Sequence, residues 1–203
     1  MSPPINPIRD SARFQTAIKR FEEANSADPS KELHDGKEYP RELLYTRRLA
    51  KWLEVLEPDA SEPLQLAAHC QHICRWTIPR SDYPMDRQGY HQWRTTLARF
   101  HAEKAGTVLQ EVGYDEKTIA SVQSLLRKEN LKKSPETQTL EDVICLVFLE
   151  DYFSDFARQH AEEKLITILR KTWKKMSPRG HEAALQLDLS PTNQALLKRA
   201  LGE

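Results

Sequence analysis

Apolar residues return along this chain at intervals of three and four, and nowhere does a sustained stretch alternate apolar and polar with a period of two. That pattern predicts helices and no sizeable sheet. After a proline-rich start, Phe14, Ala17, Ile18 and Phe21 mark a first amphipathic helix, and residues 24–40, rich in Asn, Ser, Asp, Pro and Gly, read as a loop. Tyr45, Leu49, Trp52, Leu53 and Leu56 define a second helix, which Pro58 ends because it can neither donate a hydrogen bond nor continue the turn. Ser61 is placed to cap a third helix, with Pro63 tolerated in its first turn. This third helix, about 62–76, is apolar on nearly all sides and is expected at the centre of the core. A turn-rich connection over 78–89 is expected to lie over its end as a rim or lid. Further helices are predicted over about 90–112, ended by Gly113, over 115–129, and over 140–156, the most apolar, which is expected to pack against the third. A basic amphipathic helix follows over 158–176, and the segment 181–201 forms a short helix or two.

The fold class is therefore all-α. At 203 residues the chain suits one domain: an N-terminal segment, 1–39, with one helix and a loop, packed as a unit with a helical domain over 40–203. Thirty basic residues balance thirty acidic ones, so no global field favours nucleic acid or an anionic membrane, and any attraction for phosphate must be local. The exposed lysines of the 164–175 helix leave RNA or acidic lipid as an alternative to an ordinary solvated face. The cysteines, Cys70, Cys74 and Cys145, are odd in number and sit in apolar segments, which fits a reducing, cytoplasmic location. Cys70 and Cys74 share a helix face, but without a second thiol pair they make a weak zinc signal. The first residues lack the apolar core of a secretory signal, and the longest apolar run, Val143 to Leu149, is too short to span a bilayer, so a soluble protein is expected.

Candidate chemistry concentrates in a few polar residues on these apolar helices. His69 and His72, three apart, lie on one helical face; each is either a metal ligand or a neutral core histidine bonded to a neighbour. His101 is a candidate ligand, proton shuttle or phosphate anchor. Asp142 is either functional or a helix N-terminal carboxylate, and Glu141 points about 100° away from it, so the two should not share one metal. Arg75, Arg80, Arg87 and Arg94 are interleaved with Trp76, Tyr83, Tyr90 and Trp93. They either bind the phosphate of a substrate or stiffen a loop through salt bridges to Asp82 and Asp86. No glycine-rich phosphate loop, nucleophile elbow or paired-cysteine zinc motif is present, which removes most other enzyme classes.

The order of the pieces resembles the HD superfamily of metal-dependent phosphohydrolases. Ser61 to Arg75 looks like the helix carrying that family's His-Asp pair, with His72 at its histidine; Phe100 to Gly106 is similar to an added-histidine segment; Leu140 to Leu146 sits where the last aspartate would fall. Ile73 stands in place of the pair's aspartate, and 42–57 holds no histidine for the first ligand position, so His69 becomes the replacement. The resemblance thus implies an HD-like helical bundle with His69, His72, His101 and Asp142 holding a divalent iron, manganese or zinc ion. His101 and Asp142 would be catalytic. Residues from about 40 to 190 also resemble an uncharacterised domain-of-unknown-function family of bacteria and fungi. That resemblance rests on Gln71 to Trp76, Pro79 to Pro84, Gly89 to Arg94 and Lys171 to Met176. The expected function is metal-dependent hydrolysis of a nucleotide or other phosphate ester; the alternative is a non-catalytic module binding RNA, a nucleotide or a protein.

Overall fold

The first helix, α1 (Ala12–Ser26), starts where Ser11 accepts the amide of Phe14, and it buries Phe14, Ala17 and Phe21 as their spacing requires. The computed structural model describes residues 11–202; the proline-rich start lies outside them. Where a loop was expected, β1 (Lys31–His34) and β2 (Lys37–Pro40) form an antiparallel hairpin. Asp35 and Gly36 turn it, both at positive φ, the pairing that two-residue hairpin turns demand. The strands escape pattern reading because Leu33 and Tyr39 are their main apolar residues and Leu33 is 70% exposed.

Helix α2 (Arg41–Leu56) has Pro40 at its cap position, which offers no side-chain oxygen. Buried Asp28 takes over that role from across the hairpin, accepting the amides of Glu42 (2.9 Å) and Ser30 (2.9 Å). Helix α3 (Glu62–Cys70) starts at the Ser61 cap and is buried through Leu64, Leu66, Ala67, Ala68 and Cys70, in the expected central place. It stops well short of residue 76. Cys74 takes the left-handed conformation, φ 52°, because Asn25, itself fully buried, accepts its amide at 2.9 Å and Ile73 is sunk in the core. Two single turns of 3₁₀ helix follow, Arg75–Thr77 and Arg80–Asp82.

Helix α4 (Arg87–Val112) runs from the Asp86 cap to Gly113, whose φ of +90° ends it, and α5 (Glu116–Leu126) packs along it. Helix α6 (Pro135–Val147) starts at the Ser134 cap, five residues before the expected position, and lies chiefly against α2, with α3 a lesser neighbour. It widens into a π turn, Phe148–Tyr152, before α7 (Phe153–Ala157). That turn brings Asp151 (2.9 Å) and the Tyr152 hydroxyl (2.8 Å) onto Arg48 of α2. The basic helix is α8 (Glu162–Lys175), and α9 (Pro178–Leu185) and α10 (Pro191–Leu201) close the chain, α9 against α6 and α10 against α8. Fully buried Phe21, Leu49, Leu66, Leu109, Leu146 and Phe153 join these helices in one core, each contributing roughly 1.5–3 kcal/mol of burial. Among the described residues no helix is long and apolar enough to cross a membrane.

Candidate functional site

Two helix ends and one helix face meet at a cleft of about 400 Å³. The turn after α3 supplies Gln71, His72 and Arg75; the end of α5 supplies Lys128, held in the left-handed conformation at φ 57°. Between them runs α4, presenting His91, Arg94, Ala98 and His101 at intervals of three, four and three, a single helical stripe.

His72 is flat against Tyr45, ring centroids 4.1 Å apart, and both its nitrogens are engaged. Nδ1 lies 3.0 Å from Glu42 and Nε2 lies 3.3 Å from an Arg75 nitrogen. A guanidinium only donates, so Nε2 accepts and the proton sits on Nδ1, donated to the Glu42 carboxylate. Burial, reinforced by Arg75, Arg94 and Lys128, holds His72 well below the ordinary imidazole range. Burial raises the Glu42 carboxyl, against the pull of Arg75 and Arg41. His101, ring centroid 5.7 Å from that of His72, donates from Nδ1 to the Ile73 carbonyl at 2.9 Å. Its Nε2 is then a bare lone pair, buried and without a hydrogen-bond partner among the described residues, and Oε1 of Gln71 is likewise unpaired there. Burial, then the neighbouring His72, pushes His101 down to about 3.

The cations are held in different ways. Arg75 sits over the Trp93 ring at 4.7 Å with Nε 3.6 Å from Glu42, and burial lowers its pKa. Lys128 is ion-paired to Glu141, a residue only 3% exposed, and burial lowers the lysine while Glu141 opposes that. Burial of Glu141 works against its ionisation, but Lys128 and then Lys175, 3.5 Å away, bring its pKa below the usual range. Among the described residues neither Arg94 nor Arg99 makes an ion pair, and both line the cleft.

The residues singled out from sequence do not all arrive here. His72, His101, Arg75 and Arg94 do. His69 lies on the far side of α3, its ring edge-on to Phe14 at 6.1 Å, beside a separate groove with Ile18 and Leu53. Asp142 is not at a helix start; from the middle of α6 it binds the amide (2.8 Å) and hydroxyl (2.5 Å) of Ser177 at the cap of α9. Glu141, the neighbour set aside, is the carboxylate that reaches the cleft cations. Arg80 donates to the carbonyls of Tyr83 (3.0 Å), Pro84 (2.6 Å) and Asp86 (3.2 Å), stapling the connection, and Arg87 is exposed at the start of α4, off the cleft. Glu42, Gln71 and Lys128 escaped the sequence reading. The spacing of His91, Arg94, Ala98 and His101 is a signal that could have grouped them on one helix face; nothing in the sequence signals the part Glu42 plays.

The expected metal centre does not assemble. Among the described residues no three His, Cys, Asp or Glu side chains gather to hold an ion, since His69 and Asp142 point elsewhere and His72 has spent both nitrogens.

Two neutral imidazoles, His101 buried and His72 largely so, set a pH dependence. Their folded pKa values lie below the ordinary 6.5, so below that pH the unfolded chain binds more protons, and stability falls as pH drops toward about 3. Glu42, raised in the fold, works the other way and offsets part of the loss. Unfolding free energy is expected to decline by about 2–4 kcal/mol between pH 7 and pH 5 in urea titrations, about 2 kcal/mol from each imidazole less the Glu42 offset. A profile that stayed flat over that interval would contradict neutral imidazoles at both positions.

Comparison with curated proteins gives no match, and comparison with solved structures gives none either. A family model does match, over residues 15–197: the chain belongs to the family described as Domain of unknown function (DUF4202).

Proposed function

We propose that the cleft between α3, α4 and α5 binds a small phosphate ester, of the nucleotide or sugar-phosphate kind, as a binding module. The observation that carries this is the pair of guanidiniums, Arg94 and Arg99, that line the cleft with no ion pair among the described residues, beside Arg75 and Lys128. The carboxylate lining the cleft, Glu129, is paired with Arg127, and Glu42 and Glu141 beside it face Arg75 and Lys128, so the local balance is positive although the whole chain is neutral. Planar guanidiniums match phosphate oxygens in pairs. Among the described residues metal-dependent hydrolysis of the HD type has no ligand cluster to run on, and a histidine held near 3 is too weak a base to activate water at neutral pH, so binding is favoured over hydrolysis.

Calorimetric titration of inorganic phosphate and AMP tests the reading. Arg94→Gln is expected to weaken AMP binding by about tenfold to a hundredfold, the worth of a charged hydrogen bond, with little change in stability because Arg94 makes no ion pair among the described residues. Undiminished affinity in that variant, or no binding to the native protein at millimolar ligand, would remove the proposal.

A further inference from the structure

Cations alone do not describe this cleft. Gln71 and His101 are 4% and 3% exposed, line the same cavity, and each offers an oxygen or nitrogen acceptor with no hydrogen-bond partner among the described residues. Native folds leave few such groups unpaired, and two on one cavity wall point to a ligand. An ionised phosphate oxygen does not serve them, because it too is an acceptor and its charge would face two lone pairs. The groups they call for are O–H and N–H donors.

Resting on the phosphate-binding reading above, we infer that the ligand is a phosphate monoester whose organic part carries hydroxyl or amino donors, a sugar phosphate either free or within a nucleotide. Arg94, Arg99 and Arg75 take the phosphate end, and His101 Nε2 with Gln71 Oε1 accepts from the sugar or base end. Rotating the Gln71 amide would exchange the places of its oxygen and its NH₂. His101 has no such freedom, because its Nδ1–H is committed to the Ile73 carbonyl. Nor does the imidazole readily gain a second proton to meet phosphate itself: burial, and His72 beside it, keep it neutral at physiological pH. A cavity of about 400 Å³ has room for a ligand of this size.

The full chain is titrated by calorimetry with inorganic phosphate, ethyl phosphate, ribose 5-phosphate and AMP. Ethyl phosphate has the anion but no donor on its organic part, so ribose 5-phosphate or AMP is expected to bind at least about tenfold tighter, 1.4 kcal/mol. If AMP is the tighter of those two the ligand is a nucleotide, and otherwise a free sugar phosphate; both rankings support the inference. Gln71→Met and His101→Phe should each reduce the preference over ethyl phosphate while leaving inorganic phosphate affinity unchanged. Gln71→Met keeps the test open if the loss of the Ile73 contact unfolds His101→Phe. Equal affinity for ethyl phosphate and both sugar esters would overturn this inference and leave phosphate binding standing. Failure of all four ligands to bind would remove both.

Discussion

Replacing Lys128 by methionine is expected to destabilise the fold by about 3 kcal/mol, the cost of leaving a buried carboxylate without its main partner. Glu141 is 3% exposed, and its two cations are unequal: Lys128 is in direct contact, whereas Lys175 stands 3.5 Å away with more than half of its side chain in solvent. Methionine keeps the length and apolar stem of lysine, so little packing is lost and the change isolates the charge. The double variant Lys128→Met, Glu141→Leu should regain most of the loss, because exchanging both members of a buried pair for apolar side chains is often neutral. Urea denaturation of the two variants decides. A single variant within about 0.5 kcal/mol of the native protein would mean that Glu141 is solvated well enough to stand alone.

Asp142→Ala is the second large effect, and it separates the two roles open to this residue. In the fold, Asp142 accepts from the Ser177 amide and hydroxyl and from the Gln138 side chain at 3.0 Å, while Ser177 itself accepts the Gly180 amide at 3.1 Å and so caps α9. Gly180 lies so close that a Cβ there would stand 2.8 Å from the Asp142 carboxyl carbon, a fit that seats the start of α9 on α6. Removing the carboxylate should cost about 2–4 kcal/mol, since hydrogen bonds to charged groups are among the stronger ones. Amide exchange should rise in 178–185, and affinity for phosphate esters should change by less than about threefold. Loss of ligand binding with α9 still protected would show instead that Asp142 serves the cleft.

These two carboxylates also show where reading the sequence stops. Adjacent residues on a helix point about 100° apart, so spacing makes it clear that Glu141 and Asp142 face different neighbours. Which of them meets the cations depends on how α6 is rotated against α2 and α5, and that follows from the whole core. The same holds for His69 and His72. Three residues apart, they share a face only while the helix continues, and α3 ends at Cys70, so His72 swings with the following turn to Glu42 and Arg75 while His69 stays toward α1. No glycine or proline announces that ending; Asn25, forty-nine residues earlier, imposes it by binding the Cys74 amide.

What the sequence determined by itself was local. The helical periodicity, the caps at Ser61, the stops at Pro58 and Gly113, and the central burial of the segment after Ser61 all depend on neighbours within one or two turns. Only the tertiary structure decided the rest. It paired the polar strands of the hairpin, brought Arg75, Arg94 and Lys128 to one cleft, and sent Asp142 to α9. It also set the protonation of His72 and His101, because burial and the surrounding cations, not the identity of the residue, hold an imidazole neutral.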